Sequence, residues 1–297
     1  MDSLREELLI LFSTPVYAFV IGAEIVFSAI HEKKFYSTRG TIYNIYLMLL
    51  NMGLDFLMRV ITLAVLLFFA GFSLPSISNP FLYWFLLLVL EDFLFYLLHY
   101  VDHYCRFFWA VHVTHHSSDE FNLTVGFRSS VFQPLYRFFY FIPLALLGFN
   151  PLDILFMYAA TQIWGILIHT QYIGKLGPLE WFLATPSHHR VHHASNPRYL
   201  DKNLGMVFIV WDRLFGTFCE ETDEDPVRYG LTKPIENPNP VRIVFHEWQE
   251  IVNDIRKPIP WKWKLRYLFG PPGWSHDGSR KTSRELEREY FKGRNSI

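Results

Sequence analysis

The chain has 297 residues, of which 51% are hydrophobic, 18% aromatic and only 19% charged. Its formal net charge of −1 argues against the basic surface that nucleic-acid binding requires. Its two cysteines, Cys105 and Cys219, lack CxxC spacing, which argues against a disulfide framework and a thiolate metal site; Cys105 reads as an apolar filler.

A hydrocarbon core of about 30 Å takes roughly 20 helical residues. Leu8 to Ile30 meets that length, interrupted by Glu24. The acidic start ahead of it, with Asp2, Glu6 and Glu7, is unlike a cleaved secretory leader, so this run is expected to be a retained span. Ile42 to Phe72 is longer and is expected to form one tilted helix. It holds Asp55 and Arg59, an i, i+4 pair expected to neutralise itself rather than to mark a proton path. Phe81 to Leu98 is a third run and leads into His99. Gln133 to Leu147 and Leu152 to Ile168 predict a helical hairpin around the turn Gly148-Phe149-Asn150-Pro151.

Basic residues orient these runs. Lys33, Lys34 and Arg39 follow the first, Arg106 and Arg128 follow the third, and more lie beyond Thr170. The loops around Pro75 and Asn150 carry neither Lys nor Arg. The positive-inside rule then predicts five spans with the N-terminus outside and the histidine groups on the cytoplasmic face. From Gln171 onward the chain is polar and proline-rich. Val241 to Ile255 predicts a short amphipathic helix. Trp261-Lys-Trp263-Lys-Leu-Arg266 reads either as an interfacial segment or as a packed aromatic surface. Arg280 to Lys292 reads as a solvated helix or a disordered tail. The expected fold is all-α and integral to the membrane, with four to five transmembrane helices and a cytoplasmic, histidine-rich helical cap. Residues 1–80 would form N-terminal spans, 81–230 the histidine-bearing domain, and 231–297 a cytoplasmic or interfacial tail.

Ten of the thirteen histidines fall between His99 and His193. His99 and His103 form H-x₃-H; His112, His115 and His116 form H-x₂-H-H; His189, His192 and His193 repeat it. Residues three and four apart share a helix face, so each group is expected to aim its imidazoles at a common point. Eight imidazoles exceed what one tetrahedral ion uses, which points to two metal ions. Imidazole suits zinc, copper, iron and nickel alike, and spacing does not choose among them. His31, His246 and His276 stand alone and read as surface histidines.

After hydrophobic spans, these three boxes resemble the fatty acid hydroxylase/sterol desaturase superfamily of membrane di-iron enzymes. The resemblance runs from about Phe81 to Tyr229. Its most specific stretches are Thr185-Pro-Ser-His-His-Arg-Val-His-His193, Asn196-Pro-Arg-Tyr199 with Asp201-Lys-Asn203, and Trp211-Asp-Arg-Leu-Phe-Gly-Thr217. It implies His99, His103, His112, His115, His116, His189, His192 and His193 as ligands, with His169 matching a further family histidine. His188, four residues before His192, reads either as another ligand or as an outer hydrogen-bonding group. The resemblance also implies two iron ions, which zinc can replace in purified protein. It implies dioxygen and two electrons, spent on a C–H bond of a membrane lipid. Hydroxylation, desaturation and ether cleavage all stay open, with a sterol-like lipid favoured and an ether lipid the alternative. With no GxGxxG after a strand, electrons are expected from a separate protein, a small reductant or a tetrahydropterin. The rival from another class is a non-catalytic zinc-binding membrane protein. A metal carrier fits less well, because its ligands should be spread across the bilayer.

Metal-bound imidazoles donate their second N–H to a carboxylate or carbonyl. Asp92, two turns before His99, is the leading candidate, since an acid inside an apolar run needs a partner; Glu91 is the competing one. Asp102, Asp201, Asn203 and Asp212 are further candidates.

Overall fold

The computed structural model describes residues 2–294; the acidic side chains at the start of the chain lie outside the described residues. Eleven α-helices are present among them: α1 Asp2–Ile30, α2 Thr38–Ala70, α3 Pro80–Tyr104, α4 Arg106–His116, α5 Phe138–Leu146, α6 Pro151–Leu167, α7 Pro186–His192, α8 Val210–Phe215, α9 Pro240–Ile255, α10 Trp261–Phe269 and α11 Ser283–Arg294. Their starts are written locally. Asn79-Pro80, Asn150-Pro151 and Asn239-Pro240 each put an asparagine at the N-cap and a proline just inside. The asparagine oxygen accepts an orphan amide, and proline gives up a hydrogen bond the first turn does not make.

Among the described residues, three helices are long and apolar enough to cross a membrane: Leu11–Ile30 of α1, all of α2 and all of α3. The run around Asp55 is one continuous 33-residue helix, as expected. At 1.5 Å per residue it is about 50 Å long, more than a bilayer core, which tilt accommodates. Phe56, Leu57, Val60 and Phe68 of α2 and Phe12 and Phe19 of α1 stay exposed, an apolar exterior suited to lipid. The two later runs form the expected hairpin, with a 9-residue α5 and a 17-residue α6. α5 is short because the run opens with a separate 3-10 turn around Pro134, at Gln133–Leu135, while Pro143 lies inside the helix and forgoes one of its hydrogen bonds. At the turn, Gly148 takes φ +92, and a Cβ there would meet Leu74 O at 2.6 Å. Only glycine allows this approach, which also lets Leu74 N donate to Leu146 O.

α5 packs on α2 and α3, and α6 packs on α1, α2 and α3. Leu66, Leu87, Phe141, Leu144, Ile154 and Met157 form the bundle's apolar core. Asp55 has a cationic partner beyond its own helix: it forms an ion pair with Arg137 at the start of α5.

Cys105 takes an extended conformation that ends α3 and restarts the chain as α4, packed beside α3. α7 to α11 form the polar cap. α9 lays Ile243, Val244 and Ile251 against its neighbours and packs on α4 and α10. In α10, Trp261, Leu265 and Phe269 are exposed, while Lys262 and Arg266 lie over Trp263 and Trp274. The charged C-terminal stretch is a solvated helix, α11, with no buried residue.

Candidate metal centre

Two groups of imidazoles converge where α3, α4, α7 and the end of α6 meet. His99, His103, His112, His116 and His192 form one; His115, His169, His189 and His193 form the other. Within each group one ring nitrogen per residue lies within 4.8 Å of all the others. These are the nine histidines of the boxes and the α6 terminus. The boxes are not each aimed at one point, however. In α4 the i, i+4 pair His112 and His116 serves the first group and His115 the second. In α7 the pairing is reversed: His189 and His193 serve the second group and His192 the first. At 3.6 residues per turn, positions i+3 and i+4 fall on opposite sides of i, so an H-x₂-H-H motif straddles two sites.

The ring orientations are fixed from outside. His99 Nδ1 donates to Leu204 O (2.7 Å), His192 Nδ1 to Lys202 O (3.0 Å), His115 Nδ1 to Arg128 O (2.9 Å) and His169 Nδ1 to Gly165 O (2.7 Å). His103 Nδ1 lies 3.1 Å from Asp201 Oδ1, and His112 Nδ1 3.0 Å from Ser130 Oγ. A carbonyl oxygen only accepts, so each ring bonded to one carries its proton on Nδ1 and turns the Nε2 lone pair inward. Burial pushes His112, His116, His169, His189, His192 and His193 well below the usual imidazole range, and His115 to about 4, so they stay neutral.

The inward nitrogens of neighbouring rings crowd together. His99 and His112 bring Nε2 atoms to 3.0 Å, His112 and His116 to 3.1 Å, His169 and His189 to 2.9 Å, and His169 and His193 to 3.1 Å. His103 Nε2 and His192 Nε2 are buried without any hydrogen-bond partner. A buried ring nitrogen without a partner is costly, and crowded neutral rings with few protons to share cannot satisfy every lone pair. A cation in each group removes the cost, so the donor set fits two metal ions held by neutral imidazole alone.

The carboxylates act differently from the expectation, Asp201 excepted. Asp92 touches no imidazole. It accepts from Val207 N (2.7 Å), Phe208 N (3.1 Å) and Trp211 Nε1 (2.9 Å). Asp212 accepts from Leu204 N, Gly205 N and Thr217 Oγ1. Together they pin the segment 201–208, whose Asp201 carboxylate, Lys202 carbonyl and Leu204 carbonyl orient three rings of the first group. Asn203 also misses the rings: its amide clamps His188 O and Cys219. Asp201 and Asn203 sit at φ +56 and +55, a region Asp and Asn tolerate best among non-glycine residues. Asp102 accepts from Gln133 and Tyr136 and lies 3.8 Å from His112, not beside His103's ring nitrogens. Glu91 is 3.4 Å from Thr161 Oγ1 and orients no histidine.

His188 is in neither group. Its Nδ1 faces the Thr185 amide at 3.4 Å and Leu183 O at 3.2 Å, closing the first turn of α7. It is the third helical residue, and the helix start claims its ring. His31, His246 and His276 also lie outside both groups, bonded to Phe27 O, Ile243 O and Tyr267 Oη. Sequence reasoning missed Ser130, Gly165 and Arg128. Two of these act through backbone carbonyls, which no side-chain pattern reveals. Arg128 is itself held by Thr114 O, Asn44 and Ser117.

Cavities flank the imidazole layer on both sides. One, of about 380 Å³, lies among α1, α2, α5 and α6 and reaches His99, His112, His115, His169 and His189. The other, of about 750 Å³, lies under the polar cap and reaches His103, His116, His192 and His193.

Residues 84–217, which include all nine histidines, match the family model described as fatty acid hydroxylase. This segment resembles a fatty acid hydroxylase domain. Alkylglycerol monooxygenase of Homo sapiens is 41% identical over 187 residues, covering 62% of this chain and 40% of the relative. The Xenopus tropicalis alkylglycerol monooxygenase is 38% identical over 201 residues, covering 64% and 42%. An ornithine lipid hydroxylase of Rhizobium tropici is 31% identical over 147 residues, covering 49% and 44%. The chain therefore spans about two-fifths of the length of the curated relatives it matches. No solved structure matches. The matched segment takes in α4, α5, α6, α7 and α8 and most of α3; α1 and α2 precede it and complete the membrane-side cavity.

Proposed function

We propose that the chain is a membrane di-iron lipid oxygenase, acting on an ether lipid in preference to a sterol. The observation that carries this is the imidazole layer itself, with a cavity inside the helical bundle on one face and a polar cavity on the other. The nine histidines would hold two iron ions, and bound iron would supply the redox chemistry with dioxygen that attacks an unactivated C–H bond. The chain's own part would be to hold nine imidazole ligands and present the lipid to His99, His112, His115, His169 and His189. The polar cavity, lined in part by Lys233, Arg242, Glu247 and Arg280, is where a soluble reductant or electron-transfer protein would approach. Basic loops next to this face support a cytoplasmic placement in a bacterial inner membrane or the endoplasmic reticulum. Residues 81–230 would bear the chemistry, 1–80 the lipid-facing wall and 231–297 the polar cover. The ether-lipid preference rests on the alkylglycerol monooxygenases, at 35–41% identity, against 27–28% for the sterol enzymes.

The test is purified protein from iron-replete cells, assayed for metal content and for dioxygen uptake with 1-O-hexadecylglycerol and a chemical or pterin reductant. The expected result is two iron ions per chain and uptake coupled to a fatty aldehyde. Firmly bound zinc, with no uptake under any reductant or lipid, would instead establish the non-catalytic reading.

A further inference from the structure

The bundle-side cavity has a polar wall where apolar lining would be the default. Asn51, Asp55 and Arg59 lie on α2 at successive turns, and Gln133, Arg137 and Gln162 line the same space. Asp55 keeps 40% of its side chain accessible although α2 spans the membrane, and its ion pair with Arg137 faces the cavity. Ionised groups at this depth belong to pathways or binding sites, because exposure to lipid is expensive. Arg137 also stands over the Tyr158 ring at 4.4 Å, which fixes the guanidinium. The Nε2 of Gln162 is buried and has no hydrogen-bond partner.

The height of this wall above the imidazoles follows from a short chain of bonds. Asn51 donates to Ser130 O at 2.8 Å, and Ser130 Oγ is 3.0 Å from His112 Nδ1. Asn51 thus marks the level of the ligands. Asp55 is one helical turn further on, about 6 Å along the axis.

Resting on the lipid-oxygenase reading, we propose that Asp55, Arg137 and Gln162 bind a hydroxyl-bearing, uncharged polar head of the lipid substrate. A paired carboxylate still has lone pairs that accept from hydroxyls, whereas a phosphate head brings it no donor and meets its charge. The unpaired Gln162 amide donates to a head oxygen. A head held one turn above the ligands places the C–H bonds next to it over the histidines. This selects oxidation close to the head and disfavours attack in mid-chain.

The experiment is equilibrium binding to iron-loaded protein in nanodiscs, without oxygen or reductant, so turnover plays no part. The probes are 1-O-hexadecylglycerol and hexadecyl methyl ether, which share a chain and differ in the head. Wild type should prefer the glycerol ether by at least about tenfold, the value of one charge-assisted hydrogen bond. The double variant Asp55→Asn/Arg137→Gln, which removes both members of the ion pair, should bring the two lipids within about twofold while still binding the methyl ether. Metal content equal to wild type checks its fold. If it does not fold, Gln162→Leu must by itself lower the preference. No preference in wild type, or the same preference in the folded variant, overturns the assignment. A protein that passes this test yet consumes no dioxygen would defeat the oxygenase reading alone.

Discussion

His169→Ala and His103→Ala remove the same side chain from positions that are equally buried, each 3% exposed. Loss of packing is therefore matched, and what differs is the number of ligands left behind. His169 belongs to the four-histidine group, and its Nε2 is within 3.1 Å of both His189 and His193. Its removal leaves three. His103 belongs to the five-histidine group, and its removal leaves the four that a tetrahedral site uses. Loss of an outer hydrogen-bond partner alone costs a metal site 10–100-fold in affinity, so loss of a whole ligand from the smaller group should cost at least about 100-fold. That is roughly 2.8 kcal/mol. The assay is metal content by plasma mass spectrometry after equilibration against a graded chelator. His169→Ala should keep about one ion per chain at a free-metal level where His103→Ala keeps about two. Equal losses in the two variants would refute the partition into two separate sites.

Three more outcomes follow from the same geometry. Asp92→Asn takes the charge from three donors, Val207 N, Phe208 N and Trp211 Nε1, and should cost about 3 kcal/mol of stability along with looser metal retention; an unchanged melting temperature would show that the 201–208 segment holds itself. His188→Gln should leave the metal count intact and cost about 1 kcal/mol through the α7 start, whereas a lost ion would return His188 to the ligands. In metal-free protein, burial holds His115 at about 4 against 6.5 for an ordinary imidazole, so the folded state binds fewer protons between those values. Its contribution to stability is complete above pH 6.5 and is lost as pH falls toward 4. A thermal melt series across that window should fall with acidification, and a rise would contradict neutral ligands.

The long helices and the nine clustered histidines were legible because both signals are local. Apolar length reports a span, Asn-Pro reports a helix start, and histidine spacing reports a shared face. The partition of ligands was not legible, since it depends on how α4 and α7 face each other, and neither motif carries that. Asp92 could be read as an acid in need of a partner, yet its partners lie 115 to 119 residues downstream and are mostly backbone amides. His188 has the spacing of a ligand to His192, but the first turn of α7 takes its ring. The carbonyls of Leu204, Lys202, Arg128 and Gly165 orient four rings, and every residue has a carbonyl, so composition cannot mark them. The comparatively short α5 follows from prolines that the hydropathy of the run masks.

The exchange of partners between the two H-x₂-H-H motifs bears on how the protein is made. Neither group draws its ligands from one helix: the first takes α3, α4 and α7, the second α4, the end of α6 and α7. During synthesis the α3 and α4 histidines emerge long before α7 exists, and they bring four of the five residues of the first group but only His115 of the second. The second group is therefore complete only when the end of α6 and α7 dock. On the proposed di-iron reading, a centre holding both ions would record that the membrane bundle and the polar cap have come together.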